Sequence, residues 1–230
     1  MSERIWNILV EGFVKIMLAS IKVTIPLTVL GFSFAMIIAM FMALVQYAKV
    51  PVLRQLSRLY IWIVRGTPLL VQLYLAYFGL PKIGIVLNSF LCAVVVFSLN
   101  EGAYCAEIMR SALEAVPEGQ MEAGYCVGMN YLQIMRHVVI PQALRTAFPP
   151  LSNSVIAMLK DTSLVAEITV ADMFMAAQKI VGRTYEPLWL YCEVALIYLF
   201  FSTILTFVQR YFEKRLSAYN SRETEVRTQE

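Results

Sequence analysis

The residues best placed to do chemistry are polar groups set inside apolar stretches. One set is Asn100, Ala103, Tyr104 and Glu107, spaced i, i+3, i+4, i+7 on one helical face, with Glu101 beside them. A second is "LSNSVIAMLKDTSL" (151–164), which puts Ser152, Asn153, Ser154, Lys160, Asp161, Thr162 and Ser163 into a short apolar segment. An ionisable group at the centre of a membrane span costs at least about 2.5–3.5 kcal/mol, so such groups face a bundle interior or a wet cavity. The chemistry they offer is binding, not bond-making. Glu101 and Asp161 supply acceptors, and Asn100, Asn153, Lys160 and Thr162 supply donors. That balanced set suits a ligand carrying both an ammonium and a carboxylate. Architectural readings stand beside these: Glu107 can pair with Arg110, and Asp161 can cap Thr162–Ala166. Lys160 and Asp161 are adjacent and point in different directions, so they are not expected to pair.

A third constellation is "MEAGYCVGMNYLQIMRHVVIP" (121–141), too polar and glycine-rich to span a bilayer yet patterned as two short helices. Met121–Gly128 has the length of two turns. Pro117, Glu118 and Glu122 suit its N-terminal end, where acidic groups meet the positive end of the helix dipole. Gly124 and Gly128 lie four apart and would leave a bare strip for close approach of another backbone. Gly128-Met129-Asn130 reads as a helix stop, Tyr131–His137 as a second short helix, and Pro141 closes the element.

The elements that must position these residues are membrane helices. The chain has 230 residues, 59% hydrophobic and 15% charged, against about 45–50% and about 25% for a soluble domain. Charge-free windows at Val23–Ala48, Gly66–Pro81, Ile83–Asn100 and Val194–Gln209 extend to spans near 18–47, 59–79, 86–109 and 188–210. A fifth candidate, near 148–166, is interrupted by Pro149, Pro150, Asn153, Lys160 and Asp161. Charge decides for it. With five spans and the N-terminus outside, eleven basic residues fall on cytoplasmic segments and five on outer ones. With four spans, the basic 48–58 loop and the basic tail would fall on opposite sides. The expectation is thus one all-α polytopic domain, with a cytoplasmic loop over 114–143 and a frayed cytoplasmic tail over 212–230. Arg65-Gly66-Thr67-Pro68 should kink the second span, because Pro68 removes a backbone donor and disfavours helix at Thr67. Arg65 could then reach the cytoplasmic interface or a carboxylate such as Glu107.

The first apolar run is far longer than a signal h-region and should stay as the first span. Ahead of it, Ile5, Leu9, Phe13 and Ile16 fall at helical spacing, either as a helix in the outer interface or as an extension of the span. Cys92, Cys105, Cys126 and Cys192 have no paired spacing, so neither disulfides nor a metal site is expected. His137 reads as a loop residue. No catalytic residue and no nucleic-acid partner is expected. No internal repeat of the kind secondary transporters carry is visible. Nor is there a P-loop: "GLPKIGIV" has glycines at 79 and 84, but Ile85 and Val86 follow, and "GQMEAGYC" fails in the same way. Energy from ATP must come from another polypeptide, and the 121–141 loop is where that polypeptide could push.

That loop resembles the EAA motif of permease subunits of ATP-binding-cassette (ABC) importers. Glu122-Ala123-Gly124, Gly128 and Val138-Val139-Ile140-Pro141 match its spacing, with Gly for the second Ala, Val for Ile and Ile for Leu. "RGTPLLVQLYLAYFGLP" (65–81), "SLNEGAYCAEIMRSAL" (98–113) and "PPLSNSVIAMLKDTSL" (149–164) are similar to the polar amino-acid group, most closely to cystine permeases, with Gly102 where those usually have Ala. The resemblance implies a type I importer permease fold in a bacterial cytoplasmic membrane. It implies a second permease subunit, two ATPase subunits that bind ATP and Mg, and an outer amino-acid-binding protein. It makes Glu118, Glu122, Ala123, Gly124, Gly128, Met129 and Pro141 the ATPase-coupling residues, and cystine the first-choice substrate. The rival reading is a stand-alone membrane channel with a gating loop.

Overall fold

The computed structural model describes residues 3–227, with side chains to residue 216. Its described residues are 89% helical and contain no strand. Ten α-helices follow in order: α1 (Glu3–Ala19), α2 (Ile25–Tyr47), α3 (Pro51–Arg65), α4 (Leu69–Tyr74), α5 (Ser89–Glu114), α6 (Glu118–Cys126), α7 (Tyr131–Ile134), α8 (Ile140–Asp161), α9 (Met173–Thr184) and α10 (Pro187–Arg227).

Proline chemistry sets the irregularities. Widened π-helical turns occupy Ser20–Thr24, Leu75–Gly79 and Met135–Val139, and each ends two residues before a proline: Pro26, Pro81 and Pro141. Proline donates no backbone bond, and its ring crowds the carbonyl four residues back. Widening that turn relieves the crowding without ending the helix. Pro141 therefore does not close the 121–141 loop as expected. It sits in the first turn of α8, and the second short helix runs through Met135–Val139 straight into α8.

At the N-terminus α1 continues through the widened turn into α2, giving 45 unbroken helical residues. Ile5, Leu9, Phe13 and Ile16 thus lie on a helix that is continuous with α2. Ile16 is fully buried with Met173, Ala177, Val194 and Ile197, which docks α1 on α9 and α10. Thr24 in the widened turn accepts the Met173 amide at 3.3 Å, fixing the start of α9.

The central pair is α2 and α5. Gly31, Ala35, Ala39 and Ala43 recur every fourth residue on α2 and are buried. Ala39 and Ala43 pack in one cluster with Ala103, Cys105 and Ala106 on α5, where small side chains let two helices approach closely. A Cβ on Gly102 would lie 3.0 Å from Ile38 Cγ2. The helix that the small α5 residues admit is thus α2.

Among the described residues, three helices are long and apolar enough to cross a membrane: Glu3–Tyr47, Ser89–Glu114 and Pro187–Leu216. A fourth is the pair Pro51–Arg65 and Leu69–Ile83, bent by 102°. The candidate near 148–166 falls in α8 and is not among them; its prolines and polar residues lower its apolarity. It is packed instead between α5 and α10, where protein replaces lipid. The tail was expected to fray after Phe212, but α10 runs to Arg227. Gln209–Glu213 at 2.8 Å and Arg215 over the Tyr211 ring at 4.8 Å are side-chain pairs four apart that support its continuation. Residues 228–230 lie outside the described residues.

Candidate functional site

The bend between α3 and α4 creates the site. Pro68 cannot continue α3, and Gly66 ends it: a Cβ there would lie 2.8 Å from the Trp62 carbonyl oxygen. The break frees carbonyls that need donors. Gln72, four residues after Pro68, supplies them. Its Nε2 donates to Val64 O at 2.8 Å, Thr67 O at 3.1 Å and Thr67 Oγ1 at 2.8 Å. Its Oε1 accepts from Asn100 Nδ2 at 3.1 Å, tying the bend to α5. Gln72 was missed in the sequence, although it is the first polar residue in the apolar run after the proline.

Around this bend lies a cavity of about 890 Å³. Arg65–Leu69 form one wall, Asn100, Glu101, Tyr104 and Glu107 of α5 a second, and Pro150, Ser154 and Asp161 of α8 a third. The expected set on α5 is brought together. The set on α8 is divided. Asp161 and Ser154 line the cavity, but their neighbours Lys160 and Asn153 do not, because adjacent helical residues point about 100° apart. Asn153 accepts a hydrogen bond from Gln209 Nε2 of α10 at 3.2 Å. Thr162 is fully buried and donates to Leu159 O at 2.6 Å, which closes the end of α8. Asp161 makes no capping bond to the 3₁₀ segment Thr162–Ile168 that follows, contrary to expectation.

The cation at the cavity is therefore Arg65, not Lys160. Its guanidinium carbon sits 5.1 Å above the Tyr104 ring, a cation–π stack that holds the side chain against the wall. Glu107 pairs with Arg110, which also donates to Glu114 at 2.5 Å. That pairing leaves Glu101 and Asp161 as the cavity carboxylates without an ion pair among the described residues. Cys105 Sγ lies 3.7 Å from Glu101 Oε1. The arrangement offers one guanidinium, two carboxylates and the Asn100 and Ser154 side chains around an open space. Among the described residues it has no group of three metal-ligating side chains.

The second feature is the α6–α7 loop. Helix α6 begins at Glu118, one residue after Pro117, three residues earlier than expected. It ends in a Schellman motif: Met129 N donates to Gly124 O at 3.1 Å, and Gly128 N to Tyr125 O at 3.0 Å. Gly128 has φ +78°, the left-handed conformation that this motif requires. Asn130 and Gln133 then form a reciprocal capping box that starts α7. The expected bare glycine strip does not exist. Gly124 is buried under Ile134, whose Cγ1 would meet a Cβ there at 2.6 Å. Gly128 lies past the helix end, with open space around it. The outward surface instead carries Glu118, Glu122, Ala123, Tyr125, Val127, Tyr131 and Leu132, with Met129 half-buried. Gln142 Nε2 donates to Gln120 Oε1 at 3.2 Å, which links α6 to the first turn of α8. The loop is thus joined to a helix that lines the cavity.

A helical bundle with apolar spanning helices, a polar internal cavity and a folded loop fixed to its lining defines a membrane transport subunit. Residues 31–218 match the family described as binding-protein-dependent transport system inner membrane component, and the chain belongs to that family. It is 43% identical to the L-cystine transport system permease protein TcyB of Bacillus subtilis, over 93% of this chain and 92% of that one. Its fold matches the crystal structure of an amino acid ABC transporter with histidines, with a TM-score of 0.79 and 33% identity. That match covers 91% of this chain and 94% of that one. The inward-facing MetNI methionine ABC transporter shares the fold alone, with a TM-score of 0.72 at 18% identity, over 94% of this chain and 99% of that chain. The chain is an ABC-transporter permease of the amino-acid group, and permeases of this kind work with ATPase and binding-protein partners.

Proposed function

We propose that this chain forms the membrane path of an L-cystine importer in a bacterial cytoplasmic membrane. It pairs with itself or a homologous permease, docks two ATPase subunits that bind ATP and Mg, and receives substrate from an outer binding protein. Five spans carry it, with the N-terminus outside and the C-terminus in the cytoplasm. Helix α8 is the fourth span, and the 11-to-5 basic bias supports this orientation.

The observation that carries the reading is the physical continuity between loop and cavity. ATPase closure moves α6. The Gln120–Gln142 bond and the Gly124–Ile134 contact pass that motion to α8, which carries Ser154 and Asp161 into or out of register with Arg65 and Glu101. Arg65 and Asn100 favour a carboxylate, and Glu101 and Asp161 an ammonium, so the lining suits a zwitterion. Cystine, with two such ends, fits this set and is the substrate named for TcyB.

Two measurements test the proposal. Unlabelled cystine should block uptake of labelled cystine by the reconstituted complex. If histidine, arginine or glutamine competes and cystine does not, the substrate is wrong. Single cysteines at Lys82 and Lys179 of a cysteine-free chain should react with an impermeant thiol reagent in intact cells, while one at Asn130 stays protected. Labelling at Asn130 overturns the five-span topology.

A further inference from the structure

One face of α5 holds Arg65 in two ways. Asn100 Nδ2 donates to Gln72 Oε1 at 3.1 Å, and Gln72 Nε2 donates to Val64 O at 2.8 Å and Thr67 O at 3.1 Å. The backbone is thereby anchored on both sides of Arg65. Tyr104, four residues after Asn100 and so on the same face, takes the side chain. The guanidinium carbon lies 5.1 Å from its ring centroid. Tyr104 is 40% exposed and lines the cavity, so its ring belongs to the cavity wall and not to the buried side of α5.

The kind of contact decides what Arg65 can still do. A ring stack uses the flat face of a guanidinium and leaves its N–H edge open. A carboxylate partner would occupy that edge, because the two planar groups bond fork to fork. Arg65 forms no ion pair among the described residues. Glu107, one turn beyond Tyr104, accepts from Arg110 Nε at 3.1 Å and from Arg110 Nη2. Arg65 therefore acts on Glu107 only through the longer-range field. Arg110 takes the carboxylate that would compete for Arg65, and Tyr104 supplies the hold that the carboxylate would have given.

We propose that Tyr104 is a positioning residue for substrate selection, its ring holding the Arg65 guanidinium with the N–H edge available to a substrate carboxylate. The inference rests on the transport reading above, in which the substrate passes through this cavity. Without the ring, a long arginine side chain at the exposed end of α3 samples many rotamers, and only a fraction of them meet a ligand. Tyr104 thus contributes to ligands that carry a carboxylate and not to ligands that lack one. Its contribution runs through Arg65, so it disappears when Arg65 is absent.

The test is equilibrium binding of labelled L-cystine to the purified permease–ATPase complex, with the binding protein left out so that it adds no cystine site of its own. Cystine dimethyl ester, which keeps both ammonium groups and lacks both carboxylates, is the competitor. Tyr104→Leu should weaken cystine binding about two- to fivefold, the size of an exposed cation–π contact, and leave the inhibition constant of the ester unchanged. Tyr104→Phe restores a ring and should recover most of the loss. Arg65→Gln should weaken cystine binding, and adding Tyr104→Leu to it should cost nothing more. A further loss in that background makes Tyr104 a structural residue of α5 and overturns the proposal. So does unchanged cystine binding in Tyr104→Leu, or an equal loss for the ester, which is also what misfolding would give. A complex that binds no cystine at all defeats the substrate reading together with this one, so the two failures are distinguishable.

Discussion

At the scale of single residues, two positions make sharp demands. The Cβ of Gly124→Ala would meet Ile134 Cγ1 at 2.6 Å and Cδ1 at 2.9 Å, an overpacking that costs about 1–3 kcal/mol. The loop should loosen, lowering the ATPase stimulation of the complex while membrane insertion stays normal. Adding Ile134→Ala should restore the stimulation in a double-mutant cycle; additive losses would deny the contact. Asp172 is fully buried and caps α9 through the amides of Phe174 and Met175. Burial pushes its carboxyl from 3.8 up to about 6, against the pull of those amides. A carboxyl whose folded pKa is raised binds its proton more tightly when folded. Its stabilising contribution is therefore full below the unfolded value and lost as pH rises through about 6. The unfolding midpoint in detergent should be higher at about pH 5 than at about pH 7.5, and Asp172→Asn should flatten that difference. An unchanged difference in the variant assigns the pH response to other groups.

At the scale of elements, the bent pair α3–α4 is where sequence and structure can be weighed. Pro68 and Gly66 announce the break in the sequence, because their backbone chemistry is local. The donor that heals it is not local in its effect: Gln72 serves Val64, Thr67 and Asn100 together, and only the tertiary fold brings these to one point. Gln72→Leu removes the donor while keeping bulk. It should cost about 1–3 kcal/mol for the orphaned carbonyls and reduce transport more than it reduces ATPase docking. Equal losses in both would make Gln72 a general folding residue. The same contrast explains Lys160 and Arg65. Both were visible as charges near a span. Which one faces the cavity depends on the rotation of α8 and the angle of the bend, and neither follows from spacing within one helix. The two glycines of the loop divide likewise. Gly128 was legible as a helix stop because a positive φ is a local requirement, whereas the burial of Gly124 depends on α7 folding back over α6.

At the scale of the whole molecule, the fold joins the α6–α7 surface to the cavity through a single helix. Helix α8 is the shared part, held to α6 at one end and to the cavity at the other, and packed between α5 and α10. A stand-alone channel needs no such linkage and no partner. The most direct measurement is uptake of labelled cystine into proteoliposomes containing this chain, with its ATPase and binding protein added or withheld. Uptake should require both partners and ATP, and should stop when Gly128→Asp disturbs the Schellman turn while the chain still inserts. Uptake that proceeds from this chain alone, without ATP, would contradict the account and make the protein a channel.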